Sequence, residues 1–102
     1  YYFTDEQTRE ALAKVNAEAN YIMCPHTAVA YLGLKASQAK HNKKVSGVFL
    51  GTAHPAKFMD VIDENIAKNI VLPASLKVAM AKEKKSIPMA PDFRLLKDFL
   101  LR

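Results

Sequence analysis

The feature that most constrains this chain is one short run, Val45-Ser46-Gly47-Val48-Phe49-Leu50, with no counterpart elsewhere in the sequence. It is rich in β-branched and aromatic residues and apolar at its end, as a buried strand of a parallel sheet would be. Gly51 and Thr52 close it. A lone strand leaves its backbone donors and acceptors without partners, and no second segment here offers itself as one. A helix, a buried strand and a helix in series is the pattern of an α/β sheet whose remainder lies elsewhere. The expected class is therefore an α/β fragment, mostly helical with one clear strand. Residues 1–102 would form a single C-terminal segment of a larger α/β domain, with no internal boundary.

Local signals place the helices. Thr4 is a good N-cap and Gln7, three residues on, completes a capping box, with Asp5 and Glu6 in the first turn. Thr8, Leu12, Val15 and Ala19 then recur at helical spacing, and Asn20 is a stop. Pro25 suits the first position of a second helix over residues 25–39, with Ala28, Tyr31 and Leu32 inward and a basic end, Lys40 to Lys44. Pro55 starts a third, with Phe58, Val61, Ile62 and Ile66 on one face. A weaker helix is expected over residues 75–85, then an extended link at Pro88 and Pro91. Asp92 caps a last helix that buries Phe93, Leu96, Phe99 and Leu100.

Composition excludes several classes of protein. Half of the 102 residues are hydrophobic, too many for an intrinsically disordered chain. The single Cys rules out an internal disulfide framework and a Cys-rich zinc site, and suits a reducing compartment such as the cytoplasm. No apolar run approaches the roughly 20 residues a membrane-crossing helix needs. No signal peptide opens the chain, and a start at Tyr1-Tyr2-Phe3 without methionine suggests a mature product or a piece of something longer. The net charge of +5 raises nucleic acid as a partner. The lysines are scattered, however, and arginine is scarce (only Arg9, Arg94 and Arg102). No stacking aromatics interleave the basic clusters, so a solvated basic surface is the expectation. An independent basic helical module that binds an acidic partner or nucleic acid stands as the alternative.

Two stretches carry the residues most suited to chemistry: Cys24-Pro25-His26-Thr27-Ala28 and Gly51-Thr52-Ala53-His54-Pro55-Ala56-Lys57-Phe58. Each places a histidine and a hydroxyl beside a proline at a helix start. Ligands of open α/β sheets bind beyond the strand ends, which makes Thr52 either a ligand contact or a cap for the turn that follows. Cys24, His26, His41 and His54 fit no standard zinc spacing, and Cys24 reads as a small buried hydrophobe rather than a nucleophile. No metal site is expected. Gly33, Gly47 and Gly51 match no phosphate-loop spacing.

At these stretches the chain resembles the threonine synthase family. The matching pieces are Cys24-Pro25-His26-Thr27-Ala28-Val29, the run from Gly47 through Thr52-Ala53-His54-Pro55-Ala56-Lys57-Phe58, and the closing Pro91-Asp92-Phe93-Arg94-Leu95-Leu96-Lys97-Asp98-Phe99-Leu100. The likeness covers nearly the whole chain in the order of that family's last part. Ala30 stands where the family often has Gly, and Gly51 where Ala is frequent; both are small-for-small exchanges.

The resemblance implies the C-terminal part of the large domain of a fold-type-II enzyme dependent on pyridoxal 5'-phosphate. Its activity would convert O-phospho-L-homoserine and water to L-threonine and phosphate, by elimination and hydration. The family's cofactor-binding lysine and Gly-rich phosphate cup lie upstream of the part matched here. Lys57 and Lys97 do not match the lysine motif, so no catalytic residue is assigned in this segment and the segment alone is expected to be inactive. Thr52 matches the hydroxyl partner of the cofactor's pyridine nitrogen. His26 and His54 match motif histidines whose expected role is support near the cofactor. The expected partners are the upstream part of the same chain and the substrate, with no nucleic acid or membrane. An isolated segment is expected to pair its strand in an oligomer.

Overall fold

The computed structural model describes residues 1–41 and 45–102. The part of the expected basic cluster at Asn42, Lys43 and Lys44 lies outside the described residues. Among the described residues five α-helices follow one another: α1 (Asp5–Ala19), α2 (Pro25–Lys40), α3 (Glu64–Ala67), α4 (Ala74–Met80) and α5 (Phe93–Leu100), with a 3-10 turn at Pro55–Phe58. They divide between two compact units, Tyr1–Leu72 and Pro73–Arg102.

The first unit holds the core, and its helices begin where local chemistry starts them. Gln7 N–H donates to Thr4 Oγ1 (3.2 Å) while Thr4 N–H donates to Gln7 Oε1 (2.9 Å), the two halves of a capping box. Asn20 ends α1 in the left-handed region, at φ 51°. Pro25 opens α2, where its missing N–H costs nothing. The two helices pack together, and Ala11, Leu12, Val15, Met23, Ala28, Ile62, Ile66 and Ala67 form the buried core between them and α3. Of the stripe expected on α1, Thr8, Leu12 and Val15 are buried; Ala19 is exposed and Ala11 takes a place inside.

The strand expected over residues 45–50 does not form, and the α/β class falls with it: no strand occurs among the described residues, and the fold is helical. The reason is pairing. A strand exists only by bonding another extended segment, and none lies alongside. Residues 45–50 therefore take no regular structure and are mostly exposed, Val48 at 87% and Leu50 at 74%. Contacts with α2 hold them. Phe49 meets Tyr31 edge-on (centroids 5.6 Å), and Gln38 Nε2 donates to the Val45 carbonyl (3.0 Å).

The helix expected from Pro55 is also corrected. Its apolar positions Ile62 and Ile66 are buried, yet the chain breaks between them. Asp63 accepts from Asn65 N–H (2.9 Å) and starts α3 afresh, and Val61 is exposed. In the second unit α4 is shorter than the helix expected there, Ala74–Met80. Asp92 caps α5 as expected, accepting from Arg94 N–H at 2.7 Å. The apolar side of α5 is not buried: Phe93, Leu96, Phe99 and Leu100 are all exposed. A unit of this length has too little of its own surface to cover them.

Candidate functional site

The first motif forms the start of α2. Cys24 is its N-cap, Pro25 its first residue, and Thr27 falls where a side chain can turn back toward the cap. Cys24 and Thr27 are among the most deeply buried residues, and Cys24 Sγ and Thr27 Oγ1 share a hydrogen bond of 3.2 Å. Cys24 is thus buried, as its reading from sequence held. His26, between them, is exposed and lies against Phe58 with ring centroids 5.0 Å apart.

The second motif passes through Gly51, Thr52 and a bend at Ala53 and then turns at Pro55–Phe58. The cap of that turn is His54, whose Nδ1 accepts from Ala56 N–H at 3.2 Å. That bond requires the tautomer with Nδ1 unprotonated. Thr52 is exposed, and with the cap supplied by His54 the capping alternative for Thr52 does not describe this turn.

The fold joins the two motifs at two places. His26 of the first packs on Phe58 of the second. At the other end, the position a β-carbon would take on Gly51 lies 3.6 Å from Thr27 Oγ1 and 3.7 Å from the Tyr21 hydroxyl. Gly51, Ala53 and His54 also line an open concavity of about 490 Å³ with Tyr21, Ile22 and Asn69. A smaller cleft of about 240 Å³ lies on the face of His26 and Phe58, walled by Arg9 and Leu12.

Other pairings raised by the sequence are not brought together. His41 Nδ1 donates to the Ser37 carbonyl (2.7 Å), and among the described residues no three His, Cys, Asp or Glu side chains converge. Thr27 lies in the first motif as its hydroxyl, with no role of its own assigned there, and Tyr21 lies in neither motif. For Thr27 the signal was present in its spacing from Cys24, that of a cap and its third helical residue. For Tyr21 no local signal exists.

A hydroxyl contact to a pyridine nitrogen asks for an exposed hydroxyl on a supported backbone, and Thr52 between Gly51 and the capped turn fits that request. Lys57 sits exposed on the turn and Lys97 exposed on α5. Residues 27–100 match the family model described as "Threonine synthase, C-terminal". The chain belongs to the threonine synthase family and corresponds to its C-terminal region. It is 41% identical over 98 residues to a threonine synthase of Buchnera aphidicola subsp. Baizongia pistaciae, covering 96% of this chain and 22% of that protein. It is 31% identical to the threonine synthase of Escherichia coli K12 (99% of this chain, 23% of that one). It is 32% identical to that of Saccharomyces cerevisiae (93% and 21%). The chain thus spans about a fifth of the length of the curated relatives it matches. No solved structure matches it significantly. No helix among the described residues is long and apolar enough to cross a membrane.

Proposed function

We propose that this chain is the C-terminal part of an enzyme that converts O-phospho-L-homoserine and water to L-threonine and phosphate, with pyridoxal 5'-phosphate held in the complete protein. The observation that carries the reading is the joining of the two family motifs around an exposed Thr52 whose neighbouring turn is capped by another residue. Bound pyridoxal phosphate supplies an electron sink for the negative charge that develops on the substrate.

The residues of this chain do the positioning. The Thr52 hydroxyl donates to a neutral ring nitrogen or accepts from a protonated one, and carries no charge to hold a proton there. His54 keeps the following turn in place through Ala56 N–H, and His26 secures the turn's far end through Phe58. The lysine that binds the cofactor, its phosphate cup and the cover for the apolar side of α5 come from the upstream part of the same chain. The buried reduced thiol of Cys24 supports a cytoplasmic location.

The test joins this segment to its upstream sequence and measures phosphate and threonine released from O-phosphohomoserine. Release by the joined protein and none by the segment alone is the expected result. A joined protein that binds pyridoxal phosphate but releases no phosphate would sink the reading.

A further inference from the structure

We infer that the face of α2 formed by Tyr31, Leu34 and Gln38 is a positioning surface for Thr52: it grips alternate residues of the segment that leads to Thr52 and so sets the register in which the hydroxyl arrives. The inference rests on the reading of Thr52 above and extends it to a different element.

Tyr31, Leu34 and Gln38 are spaced by three and four residues and share one face of α2. Each meets one residue of the segment. Gln38 Nε2 donates to the Val45 carbonyl at 3.0 Å. Leu34 fills the side-chain space of Gly47: its Cδ1 stands where a β-carbon would sit, and its Cδ2 lies 2.9 Å from that point. Tyr31 meets the Phe49 ring edge-on, and both rings pack against the buried core. Residues 45, 47 and 49 therefore rest on α2, while Ser46, Val48 and Leu50 are exposed. A slip of one residue would break all three contacts. It would also bring Ser46 or Val48, each with a side chain, to the place where Leu34 leaves room only for glycine.

That register matters because little else sets it. Among the described residues no backbone–backbone hydrogen bond reaches residues 45–53. Phe49 is three residues before Thr52, so a one-residue slip carries Thr52 along by about 3.8 Å, the spacing of consecutive α-carbons. A hydroxyl that must meet a ring nitrogen at about 3 Å cannot absorb such a shift. Beyond Thr52, Phe58 also lies on α2, against His26. One helix thus holds the stretch that bears Thr52 on both sides.

The test uses the full-length enzyme and moves three carbons across the contact, with Gly47→Val, Leu34→Ala and the two together. Gly47 has no left-handed φ, so its backbone accepts a side chain and only the space is at issue. Pyridoxal phosphate affinity is measured by absorbance titration, and the melting temperature of the cofactor-free protein is followed. Gly47→Val should weaken cofactor binding about three- to tenfold, the effect of one hydrogen bond. Adding Leu34→Ala should restore it, because the valine then takes the space the leucine leaves. In the Thr52→Val background Gly47→Val should still lower the melting temperature but cost no further affinity, since both act through one cofactor contact. Tyr31→Ala should weaken affinity in the same way, and Tyr31→Phe, which keeps the ring, should not. If Gly47→Val fails to fold, the Tyr31 pair, alone and in the Thr52→Val background, decides the matter.

A loss that Leu34→Ala does not relieve, a loss that persists in the Thr52→Val background, or unchanged affinity in Gly47→Val and Tyr31→Ala beside a damaging Thr52→Val would each overturn the inference and leave the reading of Thr52 standing. If Thr52→Val itself is silent, the reading falls and the inference with it.

Discussion

Thr52 and the residues flanking it allow the sharpest tests. Thr52→Val keeps the shape and removes the hydroxyl, and in the full-length enzyme it should cost about 1–3 kcal/mol in cofactor or transition-state stabilisation. Cofactor titration and kcat check this, and no change in either would make Thr52 a bystander. His54 separates a cap from a chemical role. His54→Ala removes the acceptor for Ala56 N–H and should lower stability by about 0.5–1 kcal/mol, while His54→Asn, which can cap, should recover it. Activity that stays low in His54→Asn despite recovered stability would show that the imidazole does more than hold the turn. Gly51→Ala meets only ordinary contacts, at 3.6 and 3.7 Å, and Gly51 has no left-handed φ to lose. It should therefore stabilise the protein by about 0.4–1 kcal/mol through the unfolded chain, readable from a denaturant midpoint. A loss of stability would mean that Thr27 and Tyr21 leave less room at this position than these distances show.

Among the elements, α1 is the best defined and the most testable. Its start depends on the reciprocal bonds of Thr4 and Gln7, so Thr4→Ala should cost about 1 kcal/mol. Leu12, 3% exposed in the core, should cost about 2–5 kcal/mol as Leu12→Ala, because a cavity opens between α1 and α2. Both are measured by equilibrium denaturation of the full-length protein, and a larger effect at Thr4 than at Leu12 would contradict the core described here. The contrast with residues 45–50 is instructive. Their β-branched and aromatic content was legible, but content alone does not make a strand. Helices satisfy their own backbone groups, whereas a strand depends on another. Similarly, the periodic face from Phe58 to Ile66 was real, since Ile62 and Ile66 are buried, but it could not reveal that Asp63 would interrupt it.

The whole molecule presents more apolar surface than a self-sufficient protein of its size would leave open, notably Val48, Leu50, Phe93 and Leu100. In the full-length enzyme the amide hydrogens of residues 93–100 should exchange far more slowly than in this segment by itself. Equal rates in the two would show that nothing upstream covers α5. The sequence by itself determined where α1, α2 and α5 begin and which family the motifs signal. A cap is settled by atoms within three or four residues of one another, as at Thr4 with Gln7 and at Asp92 with Arg94. Tertiary structure alone decided that residues 45–50 stay unpaired and that Gly51 passes near Thr27 and Tyr21. Those outcomes depend on residues far apart in the chain, and local patterning carries no record of them.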